Sequence, residues 1–580
     1  MESARTFLFL LFVFLTFLLY QEWQEAHAPI KEAKAPIETS LENYQPTQEV
    51  ENLEKVNIED SSNPKENLSD DLSSQVPESS SSRNVSQPET TNLNPIVVTT
   101  DTLRVVISPN GGNLVSAELL NHKETLDKDS QPINILENRN GRVFLALSGL
   151  YGEGAPDYKK NIAVYQSTQT KYLMNSNDDT LEVDLVWTND KGVNYIKRFT
   201  FHKGQYLIDV EFVVNNTSKN KIANRMFTAL KRDTGEAEGQ EVSGLGMRSY
   251  VGPAFSTTEK KYEKYDFDDL AEKDLNVSTK GGWVALLQHY FVTAWVPQSE
   301  TTNTIDTSNK NLGKAGLTQI RITQDWEWVE PGETKTLSAK LYVGPKIQSA
   351  LEKIADGLEL TVDYGFLWWI GKPIFFLLIF FQGFAVNWGF AIILVTIAIK
   401  TLLYPLARAQ YRSFAKMRLL QPKMTAMKEQ YGDDRQKMSM KMMELYKKEK
   451  VNPLGGCFPL LIQMPVFIAL YWVLMESVEL RHAPFILWID DMSVKDPYYV
   501  MPLLMGASMY LMQKMQPMSP TMDPMQQKMM QLMPVFMTVF FVFFPAGLVL
   551  YWLMNNLISI AQQLYITNQF NKEQETKKKP

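Results

Sequence analysis

The sequence predicts a polytopic α-helical membrane protein that carries a large antiparallel β-sandwich outside the membrane. Three observations predict it. Residues 1 to about 360 are largely polar apart from one early apolar run, whereas residues 364–567 are dominated by Phe, Leu, Met, Ile, Val and Trp. Between about 96 and 345 short runs alternate apolar and polar residues, broken by PNGG, TNDKG and NNTS, which is strand and turn chemistry. Basic residues crowd 407–450 and the end of the chain while 476–499 is acidic, the asymmetry that orients membrane spans. The 580 residues allow several domains, and the net charge of −7 means little until it is divided by region.

The apolar run TFLFLLFVFLTFLLY at 6–20 follows Arg5, and Trp23 extends it to the interface. Large residues occupy the place where a cleaved signal peptide would carry small ones, so 1–23 reads as an uncleaved signal anchor. Arg5 puts the N-terminus in the cytoplasm. Residues 24–95 are rich in Glu, Ser, Asn, Pro and Gln with few aromatics, too little apolar surface for a core, and read as a disordered linker. Residues 96–345 form the sandwich, with TLRVVISPNGGNLVSAEL, LEVDLVWTNDKGVNYIKRFTF and YLIDVEFVVNNTS as its clearest strands.

Residues 346–386 read as connecting and interfacial helices. SALEKIADGLEL is amphipathic, and YGFLWWIGKPIFFLLIFFQGFAV carries Gly371, Lys372 and Pro373 near its middle, which favours a helix lying in the interface over a span. Spans follow at 387–406 and at about 459–475, 498–512, 532–544 and 548–566, six with the N-terminal anchor, and 568–580 is a basic tail. Within the 387–567 core, segment 407–450 has the signals of a helical hairpin. Met417, Leu420, Met424 and Met427 form one stripe and Met438, Met442 and Leu445 another; Gly432 ends the first helix, and Asp433 or Asp434 caps the second. By the positive-inside rule the hairpin and the C-terminus are cytoplasmic, with the sandwich and the acidic loop on the other side.

Composition excludes several chemistries. The single cysteine, Cys457, permits no intramolecular disulfide and no cysteine zinc cluster. The five histidines form no HExxH pair, and no P-loop, dinucleotide or nucleophile-elbow motif occurs. No cofactor, metal or catalytic group is expected, so the protein does not read as an enzyme.

One residue demands an explanation. Lys400 sits inside NWGFAIILVTIAIKTLLYPLAR, about 12 Å from Arg408 if that stretch is one helix. A lysine at that depth is costly unless it faces water or a partner, and the last five spans contain no acidic residue to pair with it. Thr396 lies one turn earlier on the same face. Asn555, Ser559 and Gln562 repeat at helical spacing in the last span below Tyr551, and Gln463 adds an amide in the third. These groups either line a wet concavity open to the cytoplasm or hydrogen-bond helix to helix, the usual role of neutral polar residues in membranes. The basic hairpin face suits anionic lipid or ribosomal RNA, and the Pro- and Met-rich 514–528 reads as a cytoplasmic contact loop.

KTLLYPLARAQYRSFAKMRLLQPKM, KVNPLGGCFPLLIQMPVFIALYWVLMESVELR and DPMQQKMMQLMPVFMTVFFVFFPAGLVLYW together resemble the YidC membrane protein insertases. The anchor and the large β region resemble the Gram-negative type. The resemblance implies a periplasmic β-supersandwich, a five-helix insertase core in the inner membrane, and a hydrophilic groove open to the cytoplasm and to lipid. It implies a groove cation, which at the matching position is Lys400 where Arg is usual, so the charge is kept and the planar fork lost. Thr396, Gln463, Tyr551, Asn555 and Ser559 would line that groove, and Met464, Phe467, Phe540 and Trp552 would form an apolar slide into lipid. The partners implied are nascent membrane proteins, the Sec translocon, the ribosome through the hairpin and basic tail, and membrane lipids. A secondary transporter is the alternative, but it would usually show repeated halves, and none is evident.

Overall fold

The computed structural model describes residues 94–578 except 140–141, 159–161, 234–248, 309–315, 432–433, 450–457 and 517–523. The N-terminal anchor, nearly all of the linker, Cys457 and the middle of the 514–528 loop therefore lie outside the described residues. The rest divides into a β unit and a helical unit, meeting in sequence near Val362–Asp363.

The β unit is a pair of large antiparallel sheets, of eleven and nine strands, with one short parallel pairing at Ile96–Thr99. Strict alternation dictates the layering. Val193–His202 and Leu207–Asn216 bury every second residue and pair with each other in register from Ile208↔Phe201 to Asn216↔Val193. The TNDKG turn closes the preceding hairpin: Asn189 N donates to Val193 O at 3.0 Å, and Gly192 takes φ 86°, which favours glycine. Val105, Ile107, Val183, Phe199, Phe212 and Trp295 meet in the inter-sheet core. Each such side chain contributes about 1.5–3 kcal/mol by burial. The Trp295 indole also donates to Ala229 O at 3.2 Å, joining the two sheets.

Lys197 breaks the apolar rule of its strand. It occupies a core position between Tyr195 and Phe199, fully buried, and its Nζ donates to Gly111 O at 2.9 Å and Ser148 O at 2.8 Å. Burial lowers its pKa to about 7, the Asp157 carboxylate opposing, and burial raises Asp157 to about 6. The unfolded chain binds the lysine proton up to the ordinary value of 10.5, so stability of the β unit is expected to rise as pH goes from 7 toward 10. Asp157 acts in a lower window: it lowers stability as pH rises from 3.8 to about 6. Urea unfolding of the detergent-solubilised protein, followed by tryptophan fluorescence, should show the alkaline rise at no more than about 1.4 kcal/mol per pH unit. Lys197→Met should flatten it; an unchanged slope in that variant would rule Lys197 out as its source.

Short helices α1 (Phe267–Glu272) and α2 (Gln348–Ile354) belong to the β unit. The helical unit contains α3 (Trp368–Ala385), α4 (Trp388–Leu402), α5 (Tyr404–Tyr431), α6 (Arg435–Lys448), α7 (Phe458–Glu476), α8 (Val500–Lys514), α9 (Pro524–Phe541) and α10 (Ala546–Lys578). In α3 the Gly371-Lys372-Pro373 step falls in the first turns rather than the middle, because the helix begins only at Trp368. Pro373, the sixth residue of α3, lies past the first turn and forgoes the bond its N–H would give the Trp369 carbonyl. By length and apolar composition Gly365–Ala385 could itself cross a membrane, whereas α4 with α5 qualifies only as a pair bent by 68°.

The start of α4 is fixed by Asn387, whose side chain accepts from Gly389 N at 2.9 Å and Phe390 N at 3.3 Å. Its amide donates in turn to Pro484 O and Phe485 O, tying the 477–499 loop to this helix. That loop uses its acids structurally: buried Asp496 accepts from Trp488 Nε1 at 2.9 Å and Met501 N at 2.7 Å. The hairpin forms as the stripes predict. Leu420 and Met424 of α5 pack on Met442 and Leu445 of α6, flanked by Met417, Met427 and Met438, and Asp434 caps α6 through Lys437 N at 3.0 Å. The basic tail is not a separate element. α10 runs unbroken through it to Lys578, with Phe570 buried and Glu573 paired with Arg412 of α5.

Candidate functional site

The end of α4 relocates the key lysine. The span expected over 387–406 stops at Leu402, so Lys400 stands in the last turn of its helix and not deep within a longer one. Pro405 explains the break: it has no N–H to give the Thr401 carbonyl and its ring would clash there, so α4 cannot run on through it, and as the second residue of α5 its missing N–H leaves no bond unmade. A cation in a last turn also lies beside the negative end of the helix dipole, which favours it.

Lys400 is 9% exposed, which makes it a buried charge, but it is not without company. Its Nζ donates to Ser559 Oγ at 2.8 Å and lies 3.4 Å from Gln463 Oε1. Gln463 Nε2 donates to Asn555 Oδ1 at 2.5 Å, and Ser559 Oγ donates to Asn555 O at 2.7 Å. Gln562 Nε2 reaches the Lys400 carbonyl at 3.4 Å. Three helices, α4, α7 and α10, thus converge on one ammonium through neutral oxygens, with no carboxylate bonded to it among the described residues. An ammonium has three donors, and only neutral acceptors meet them here, so the positive charge is oriented without being cancelled.

Other expected groove residues fare differently. Thr396 is buried and its hydroxyl donates to Ile392 O at 2.7 Å, satisfied within its own helix. Tyr551 is buried, its ring parallel to Phe467 at 6.3 Å. A second polar pair was missed in the sequence: Asn556 Nδ2 donates to Ser508 Oγ at 3.1 Å, both buried, joining α10 to α8. The double asparagine in LMNNLIS was the available signal, since adjacent helical residues face different neighbours.

The apolar residues form a ladder beside the polar network. Phe467 meets Trp552 edge-on at 4.5 Å, Trp552 meets Phe541 at 5.2 Å, and Phe540 meets Phe544 at 4.7 Å, linking α7, α10 and α9. Met464, one turn before Phe467, keeps 43% of its surface exposed. The arrangement sets a buried polar network holding one cation beside an aromatic wall.

Two family models divide the chain: one described as the YidC periplasmic domain matches residues 95–377, and one described as a 60Kd inner membrane protein matches 380–574. Proteins named Membrane protein insertase YidC from Shewanella halifaxensis and Shewanella baltica are each 49% identical over 567 residues, covering 98% of this chain and 98% of their own. A crystal structure titled as an active YidC insertase with the first transmembrane domain resolved aligns over 81% of this chain and 92% of its own, at 18% identity and a TM-score of 0.35.

Proposed function

This chain belongs to the YidC family of membrane protein insertases, and from that premise we propose that it inserts nascent inner-membrane proteins through a groove centred on Lys400. The observation that carries the reading is the convergence of α4, α7 and α10 on one uncancelled cation, next to the Phe467–Trp552 wall. A nascent apolar segment brings a short polar flank that must cross the bilayer. The groove gives that flank hydrogen bonds and a positive field part-way across, and the apolar segment leaves into lipid past Met464, Phe467, Trp552 and Phe540. Apolar burial at about 25 cal/mol per Å² supplies the drive, and the membrane potential adds roughly 2.3 kcal/mol per charge per 100 mV for acidic flanks. No covalent step is required.

The same reading gives the chain six crossings with a five-helix core, both termini in the cytoplasm, and the Sec translocon and the ribosome as partners. The hairpin and the tail of α10 would face the ribosome. Domain limits follow the sequence: anchor, linker, periplasmic β domain, connecting helices, and membrane core. The transporter alternative draws no support from relatives named as insertases. Reconstitution into liposomes with a small single-span substrate tests the proposal. Protease protection of the substrate's flank is the expected result, and solute uptake without protection would instead favour a transporter.

Sorting by polarity gives a finer test. A photocrosslinker at Met464, Phe467 or Phe540 should capture the apolar part of a stalled nascent chain, and one at Gln463 or Asn555 its polar flank. An unsatisfied polar group in hydrocarbon costs several kcal/mol, so the two surfaces should divide an amphipathic chain. Capture of the same substrate positions from both sets would mean there is no sorting groove, and the polar network would then be helix-to-helix bonding.

A further inference from the structure

The β domain holds a charge that the proposed insertion path does not use. Four neighbouring strands, Arg142–Tyr151, Ile222–Asp233, Leu317–Gln324 and Thr302–Ser308, lie side by side in the eleven-stranded sheet. Met226 and Leu230 point into the inter-sheet core, so Arg225 and Phe227 point to the opposite face. On that face Arg225 pairs across strands with Tyr151, and Phe227 pairs with Gly149. A side-chain carbon at Gly149 would stand 2.5 Å from the Phe227 ring, so the glycine is what lets that ring lie across the strand.

The result is a recess walled by rings. Phe227 stacks on Tyr151 at 4.4 Å, and the Arg225 guanidinium lies 5.7 Å from the Tyr151 ring and 4.8 Å from Trp326. Arg321 donates to the Tyr151 hydroxyl at 3.2 Å and is paired with Asp306 at 2.9 Å. Arg321 thus holds the Asp306 carboxylate by direct bonds, whereas Asp306 and Asp325 reach Arg225 only through space. Among the described residues nothing bonds to Arg225 beyond the two rings, and its Nε is buried without a partner. Burial first, and then the charge of Arg321, disfavour its charged form more than Tyr151, Asp306 and Asp325 favour it, so the nearby carboxylates do not make up for the missing bonded anion. Arg225, Tyr151, Phe227 and Trp326 are all half-buried, which leaves part of each open.

We propose that this recess binds a carboxylate carried on an extended polypeptide beside an aromatic side chain, the chemistry of an acidic flank delivered to this side of the membrane. The substrate class rests on the insertase reading above; the anion preference rests on Arg225 alone. A guanidinium takes a carboxylate through paired N–H bonds. The rings on either side keep water from that pair and offer a surface to a neighbouring aromatic residue.

The test uses the full chain in nanodiscs and a fluorescent peptide alternating Glu and Phe, with a Gln-for-Glu counterpart as its neutral twin. The Glu peptide should bind at least tenfold more tightly than the Gln peptide, and Arg225→Gln should erase that preference. Trp326→Leu, which leaves the cation in place, should weaken both peptides while keeping the preference, and it serves as the second variant if Arg225→Gln does not fold. Equal binding of the two peptides, or a preference that survives in Arg225→Gln, overturns the proposal. Competition by free glutarate as strong as by the peptide would overturn the polypeptide assignment. Liposome insertion is measured in parallel: insertion without peptide binding refutes the recess alone, and peptide binding without insertion refutes the insertase reading alone.

Discussion

Replacing Lys400 by alanine is expected to cut insertion of substrates with acidic translocated flanks about tenfold, equivalent to about 1.4 kcal/mol, the low end of a hydrogen bond to a charged group. Substrates with neutral flanks should lose less, because they forfeit a polar contact and no Coulombic attraction. Two further variants separate charge from packing. Lys400→Arg keeps the positive charge near Ser559 and Gln463 and should retain most activity; Lys400→Met fills the same space without charge and should behave like alanine. The two oxygens that meet the ammonium, Ser559 Oγ and Gln463 Oε1, are neutral, as is Asn555 behind Gln463, so nothing in the network replaces the lost field. The measurement is the protected fraction of substrate in proteoliposomes of equal protein content. Full activity of Lys400→Met on acidic and neutral flanks alike would reduce Lys400 to a space-filling residue at the end of α4.

Local patterns in the sequence proved sufficient where one element decides the outcome. The hairpin of 180–188 and 193–202 follows from alternation plus TNDKG, and the α5–α6 stripes follow from methionine spacing. The polar set Lys400, Gln463, Asn555 and Ser559 was also legible, since each is an unusual residue in an apolar run. Their connectivity was not, because it depends on how three helices separated by up to 159 positions pack together. The single helix expected over 387–406 failed for a local reason: Pro405 ends α4 early, a signal present in LLYPLAR but outweighed by continuous hydrophobicity. The helical course of 568–578 was not legible for a distant reason. Arg412 and Glu573 hold α5 and α10 together across the chain, and neither looks special in sequence. Asp496 shows the same limit, an acid that orients by charge in the sequence but in the fold caps α8 through Met501 N.

Substitution of Gly506 should be strongly damaging to the helical unit. Gly506 is buried in α8, and a side-chain carbon there would overlap Thr538 Oγ1 of α9, with Thr538 Cβ at 3.0 Å. Thr538 cannot simply turn away at no cost, since its hydroxyl donates to Pro534 O at 2.7 Å within α9. Helices in membranes gain contact chiefly where small residues let backbones approach, so the whole α8–α9 seam depends on this missing side chain. Overpacking at such a point costs about 1–3 kcal/mol for one or two added carbons and more for a larger group. Gly506→Ala should therefore lower the Tm of the detergent-solubilised protein, and Gly506→Leu should abolish a cooperative transition. Because α9 carries Phe540 and packs Phe541 against Trp552, the displaced helix should also lose crosslinks from Phe540 to substrate. The pairing can be isolated from general damage by a double-mutant cycle: Thr538→Ala removes the overlapping oxygen and should recover part of the loss in Gly506→Ala, although the Cβ atoms stay close. Additive losses in the double variant, with no recovery, would mean that the two residues do not share a contact and that α8 and α9 are held together elsewhere.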